Sequence, residues 1–228
     1  LLGTNANYNN TAGSNVIAIG FGAGGHSSAG QTNAILIGQQ AGDAGAGPTN
    51  SIVIGHGAFG SATGHAQYIT AVGQDAMKGS ASTTTGINGA VAIGHKSLYA
   101  ITSGAGNTAV GYESGVAITS GARNTAIGYQ SATNNATGAD GTFLGYQSGL
   151  NVLLNHNTGI GSYTLQKLGT TGGGGAGESN TAIGALAMSG GDDTVANNTA
   201  KNNVAVGYAS LGGATKSSDG AAFTTNGS

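Results

Sequence analysis

Along this chain the apolar positions come in short bursts, each of two to four apolar or Thr residues closed by a glycine. Eleven complete copies occur: Val16-Ile-Ala-Ile-Gly20, Ala34-Ile-Leu-Ile-Gly38, Ser51-Ile-Val-Ile-Gly55, Ile69-Thr-Ala-Val-Gly73, Ala90-Val-Ala-Ile-Gly94, Asn107-Thr-Ala-Val-Gly111, Asn124-Thr-Ala-Ile-Gly128, Gly141-Thr-Phe-Leu-Gly145, Asn157-Thr-Gly-Ile-Gly161, Asn180-Thr-Ala-Ile-Gly184 and Asn203-Val-Ala-Val-Gly207. Leu1-Leu2-Gly3 reads as the close of a twelfth, so the chain is expected to begin inside a repeat. Counted from Gly3, successive closing glycines are 17, 18, 17, 18, 21, 17, 17, 17, 16, 23 and 23 residues apart. That spacing is regular and too short for a helix pair, so each copy is expected to be one small β unit of a repeat array.

The columns of the repeat suggest its geometry. The residue before the glycine is always Ile, Val or Leu, the residue three before it is Thr, Ile or Val, and the one between them is mostly Ala. Alternate residues of a strand face opposite sides, so the two bulky columns share one face and Ala takes the other. The residue three after the glycine is always Ala, Ser or Thr, and this column and the one just before the glycine are expected to meet tight packing. The glycine permits a turn at φ > 0, a short extended piece such as Tyr129-Gln130-Ser131-Ala132 follows, and Asn/Gly/Thr-rich residues return the chain. The fold class expected is all-β, a β-solenoid or parallel β-roll of about twelve short coils. It spans residues 1–211, with 212–228 a degenerate coil or capping tail. In that tail Asp219-Gly-Ala-Ala-Phe223-Thr224 echoes Asp140-Gly-Thr-Phe-Leu-Gly145 with Thr in place of the glycine. Asn107, Asn124, Asn157, Asn180 and Asn203 share one column and are expected to form a hydrogen-bonded ladder, shifted in the first copies, where Asn15, Asn33 and Asn50 stand one position earlier.

Composition changes the picture in one respect. The 228 residues include 46 glycines, one proline and only 14 acidic or basic side chains. Collagen is excluded by the lack of a third-residue glycine period, and disorder is disfavoured by recurrent Ile and Val with so little charge. Such coils bury little and cost much chain entropy to order, so several identical solenoids sharing an apolar axis are expected, with a homotrimer, intertwined or side by side, as the leading arrangement. Net charge is −2, and the six basic residues stand singly, which argues against nucleic acid as a partner. No apolar run approaches the length of a membrane helix, so no membrane insertion by this segment is expected, and any export signal or anchor is expected outside it. With no cysteine, disulfides and thiolate metal sites are excluded.

The phrases Asn124-Thr-Ala-Ile-Gly128-Tyr-Gln-Ser-Ala132 and Asn107-Thr-Ala-Val-Gly111-Tyr-Glu-Ser-Gly115 resemble the head repeats of trimeric autotransporter adhesins, the YadA-like left-handed β-roll. They are similar also to the "NTAIGYQA" repeats of phage tail fibres. The resemblance runs from Gly3 to about Leu211. It implies a homotrimer of parallel β-rolls, an extracellular place on a virion or bacterial surface, and adhesion rather than catalysis. The longer period, 16 to 23 residues, and the frequent Tyr after the glycine favour the phage-fibre kind. The resulting expectation is a structural attachment protein whose partners are itself and a host-surface glycan or protein receptor. The head of a bacterial trimeric adhesin is the first alternative, and a carbohydrate-active β-solenoid enzyme the second.

Candidate chemistry is sparse. Gly20-Phe-Gly22-Ala-Gly-Gly25 has dinucleotide-loop spacing but no apolar helical face after it, and Gly89 to Ser97 mimics a phosphate loop with His95 intruding before the lysine. Both are repeat glycines, and no cofactor is expected. Asp192 and Asp193 are the only adjacent carboxylates, too little for glycosidase chemistry within one chain, so no enzymatic activity is expected. His56 and His95 share the column after the glycine with Phe21, Tyr112, Tyr129, Tyr146 and Tyr208; a packed place in that column is the simpler reading, and no metal is expected. The aromatic column has two readings: a buried ladder that stiffens the rod, which is favoured, or an exposed stripe on which sugar rings stack. Binding loops are expected where the period lengthens, from Gly79 to Gly89, Gly169 to Ser179 and Ser189 to Lys201. Ser82, Thr84, Thr170, Glu178, Asp192, Asp193 and Asn197 are the candidates there.

Overall fold

The structure is a computed structural model that describes residues 2–10, 13–26, 30–43, 45, 47–61, 64–79, 86–166, 177–190 and 201–212. Eleven short strands follow one another: β1 (Val16–Ile19), β2 (Thr32–Ile37), β3 (Thr49–Ile54), β4 (Thr70–Val72), β5 (Val91–Ile93), β6 (Thr108–Val110), β7 (Thr125–Ile127), β8 (Thr142–Leu144), β9 (Thr158–Ile160), β10 (Thr181–Ile183) and β11 (Val204–Val206). They form one parallel sheet in sequence order, and among the described residues there is no helix. Each repeat thus supplies one rung of a parallel β-solenoid. Leu2 adds an isolated parallel bridge to Ile19 and no strand, so the described sheet has eleven rungs where about twelve coils were expected. Register follows the glycine: Val110 lies opposite Ile127, and Ile183 opposite Val206. The longer spacings do not disturb it, since Thr70 pairs with Val91 and Thr158 with Thr181.

Each coil turns through a recurrent set of left-handed backbone positions. In the coil of Gly128, for example, Arg123 (φ 57°), Gln130 (φ 50°) and Ala132 (φ 52°) adopt this conformation, which non-glycine residues seldom visit. It persists because backbone N–H groups beside these corners bond to neighbouring coils: Gly128 donates to the carbonyl of Val110, and Gln130 to that of Tyr112. The repeat glycine is required on two counts. Gly111 has φ 136°, outside the range of L side chains, and a Cβ there would come within 3.0 Å of the Gly128 carbonyl in the next coil.

The two faces of the strands differ in burial within the chain. The column just before the glycine does not pack inside the chain: Ile19, Val110 and Ile127 and their equivalents are half-buried or exposed. The interior is the Ala column between the bulky ones, with Ala18, Ala71, Ala92, Ala109, Ala126 and Ala182 all inaccessible. Inward side chains of a narrow coil converge on a space that holds small groups at full packing density, and the branched column is left outside. From Ala23 to Ala187 the column three after the glycine is buried as expected, and serines in that run also bond across coils. Ser114 Oγ donates to the Ala126 carbonyl at 2.7 Å, and Ser131 Oγ to that of Phe143 at 2.9 Å.

Larger residues enter the interior by exchange with glycine. Leu36 fills space that a Cβ on Gly24 or Gly42 would claim, and Phe143 space that a Cβ on Gly141 or Gly149 would claim. Elsewhere the bulk sits four residues after the glycine, as in Met77, Leu98 and Leu165, beside Ala or Gly on the strand. The core is therefore fuller than the phrase "short apolar burst" implied, with Phe59, Ile69, Ile87, Ile101, Ile118 and Val152 also fully buried.

The asparagine ladder forms where its column is occupied. Asn124 Nδ2 donates to Asn107 Oδ1 (3.1 Å), Asn180 Nδ2 to Asn157 Oδ1 (3.2 Å), and Asn203 Nδ2 to Asn180 Oδ1 (3.1 Å). Gly141 interrupts it, and there buried Asn135 reaches Asn124 Oδ1 at 3.4 Å. The earlier asparagines make a separate, exposed ladder, Asn15 to Asn33 (3.0 Å) and Asn33 to Asn50 (2.9 Å).

Candidate functional site

The aromatic column stands just after the repeat glycine, at the rim of the sheet. Parallel stacking brings each ring over the next. His95 and Tyr112 have centroids 5.1 Å apart, Tyr112 and Tyr129 5.2 Å with planes within 8°, and Tyr129 and Tyr146 5.2 Å within 6°. Tyr163 ends the run edge-on to Tyr146. The three tyrosines are 43%, 42% and 44% exposed, so the column is neither buried nor free. Each ring of the interior of this run has neighbours over its faces, which leaves edges and hydroxyls toward solvent; a sugar ring needs a bare aromatic face to stack on. The ladder reading is the one this geometry favours, with half-exposure in place of burial.

Phe21 and Tyr208, expected in the same column, stand apart from the stack. Gln39, His56 and Gln74 separate Phe21 from His95, and Ser162 and Ala185 separate Tyr146 from Tyr208, which is 77% exposed. Beside the ring ladder runs a polar one: Gln130 Nε2 donates to Glu113 Oε2 (2.9 Å), and Gln147 Nε2 to Gln130 Oε1 (2.8 Å). The Glu113 carboxylate raises the Tyr112 phenol above its ordinary pKa, chiefly by charge repulsion of the phenolate, and a hydrogen bond that the Tyr163 hydroxyl donates to Tyr146 raises that of Tyr163. The column reading did not include Tyr163, which stands two residues after Gly161, and it did not couple the Gln/Glu column to the rings; the 17-residue recurrence of Glu113, Gln130 and Gln147 was the available signal.

Of the loop candidates, Glu178 precedes β10 and faces Lys201 Nζ at 3.7 Å. Ser82, Thr84, Thr170, Asp192, Asp193 and Asn197 lie outside the described residues. A second ionic group joins consecutive coils: Arg123 clamps Asp140 with Nε–Oδ1 2.6 Å and Nη2–Oδ2 2.8 Å, and His156 Nε2 lies 3.7 Å from Asp140 Oδ2. The Arg123 guanidinium holds the Asp140 carboxyl below its usual range. Among the described residues no three His, Asp or Glu side chains gather in a metal-binding group.

The cavity of interest was not anticipated. It measures about 430 Å³ near the amino-terminal end of the sheet and is lined by Asn5, Tyr8, Asn9, Phe21, His26, Gln40 and Asp43 among others. The left-handed corner at Gln40 (φ 55°) and the turn at Gly22 (φ 65°) bring side chains of successive coils around it. Asp43 accepts from the backbone N–H of His26 and lies against its ring Nδ1, both at 2.7 Å.

No family model matches the chain, and comparisons with curated proteins and with solved structures give no match either.

Proposed function

We propose that this chain is a homotrimeric β-solenoid segment of a phage tail fibre, an extracellular structural protein that supports or mediates adhesion to a host surface. The observation that carries the reading is the outward face of the sheet. Along all eleven strands it presents Ile, Val or Leu beside Thr, Ile or Val, and Ile17, Ile52, Ile93, Ile127, Ile160, Ile183 and Val206 are exposed on it. At about 4.8 Å per strand this is an apolar band of roughly 50 Å. A contiguous apolar face of this extent is uncommon on a monomer and suits an interface between identical chains. Three parallel copies about a common axis bury it and leave the corners and loops outward for a glycan or protein receptor.

The test is solution mass by light scattering. The wild-type chain is expected at three times its 21.7 kDa, and Ile127→Asp, with a second charge at Ile93→Asp, at the mass of one chain. Both positions are exposed at 39% on the outward face, opposite the buried Ala column, so the solenoid itself tolerates the charge. A folded wild-type monomer would overturn the proposal.

A further inference from the structure

We propose that the amino-terminal cavity is a binding site for a neutral pyranose ring, as a monosaccharide or one end of a short glycan. The inference rests on the attachment reading for its biological role, and names the receptor chemistry.

Three features of the cavity point to this ligand. Tyr8 is 75% exposed and Phe21 54%, and among the described residues no other ring is stacked on either, in contrast to the self-covered run from His95 to Tyr146. Bare aromatic faces of this kind accept the C–H face of a sugar ring. Second, the polar lining is carboxamide: Asn5, Asn9 and Gln40 each offer donor and acceptor, as hydroxyl groups require. Third, the one carboxylate is already engaged. The Asp43 side chain is 5% exposed and holds both N–H groups of His26. A carboxylate only accepts, so a ring proton sits on Nδ1, and Nε2 of the exposed imidazole is the ring nitrogen left for a ligand hydroxyl. A charged ligand thus finds no free counter-ion among these residues, whereas a polyol with one apolar face meets matching groups on each side. A volume of about 430 Å³ lies at the lower end for small-molecule sites and suits one or two sugar rings.

The experiment is saturation-transfer NMR on the full chain with the methyl glycosides of glucose, galactose, mannose and N-acetylglucosamine, and with methyl glucuronide as the charged comparison. Transfer to ring protons of at least one neutral glycoside is expected, weakened about tenfold by Phe21→Ala and by Tyr8→Ala. Tyr129→Ala, in the covered stack, is expected to leave it unchanged. Both cavity rings are largely exposed, so their truncation does not threaten folding. Absence of transfer from all four neutral glycosides, transfer from the glucuronide alone, or transfer that survives both cavity variants would overturn the proposal. Light scattering on the same samples separates the two readings: a trimer without sugar binding removes the pocket and leaves the rod, and a sugar-binding monomer does the reverse.

Discussion

Phe143→Ala removes the one ring that occupies the inward strand column, and its consequence follows from the neighbours that make room for it. Phe143 is inaccessible, and a Cβ built on Gly141 would stand 2.5 Å from its Cε2; one on Gly149 would meet Cδ1 more closely still. Those glycines cannot fill the space the ring leaves. Burial of a Phe side chain plus an uncollapsed cavity is worth about 3–5 kcal/mol, and the upper half of that range is expected here. Gly141→Ala alone drives a methyl group into the ring and into Asn124 Oδ1 at 2.9 Å, an overpacking cost of about 1–3 kcal/mol. In the double variant the collision with the ring is gone and the new methyl takes part of the void. The two changes are therefore expected to couple, with the double variant more stable than the sum of the singles by at least about 1 kcal/mol. Urea denaturation followed by far-UV circular dichroism at one protein concentration measures the cycle. Hydrogen exchange of β7 to β9 amides reports whether the loss is local, as expected when coils contact only their neighbours. Additivity within about 0.5 kcal/mol would refute the exchange of volume between Phe143 and its glycines.

Other perturbations test the remaining parts of the coil. Gly111→Ala incurs both the φ penalty and the collision with the Gly128 carbonyl, while Gly207→Ala, whose Cβ meets nothing, incurs only backbone strain of about 1–3 kcal/mol; thermal melts should rank Gly111→Ala well below Gly207→Ala. Asn124→Ala strips a buried amide that donates to Asn107 Oδ1 and the Gly138 carbonyl and accepts from Gly141 N–H, costing about 2–4 kcal/mol by denaturant titration, whereas exposed Asn134→Ala, at a position without a left-handed backbone, stays within about 0.5 kcal/mol. For pH, the depressed Asp140 carboxyl contributes stability that is fully present above its ordinary value of 3.8 and is lost as pH falls through its lower folded-state pKa. The melting-temperature difference between wild type and Arg123→Gln should thus be small at neutral pH and vanish in stronger acid; a difference that grows on acidification contradicts the pairing. Glu113→Gln removes the repelling carboxylate, and the Tyr112 phenol should ionise at lower pH in a difference-absorbance titration.

Periodicity alone determined the repeat, the position of each strand to within a residue or so, the register by glycine, and the asparagine column, because these depend on local turn geometry and on period-two alternation. The sequence could show that Ala and Ile/Val lie on opposite strand faces. Which face is the inside depends on how sharply the coil closes, and only the folded backbone, with its left-handed corners, decided that the interior is narrow enough for Ala. The same closure explains why Phe143 accompanies Gly141 and Gly149, and Leu36 accompanies Gly24 and Gly42: a bulky side chain and a glycine up to twelve residues from it share one volume, and no single column records that. The stack of His95, Tyr112, Tyr129 and Tyr146 was legible as a column, yet its self-covered faces follow from the distance between coils. The amino-terminal cavity was not legible at all. Asn5, Phe21 and Gln40 belong to three successive coils, and only tertiary stacking along the rod brings their side chains around one space, with Asp43 locking His26 at its edge.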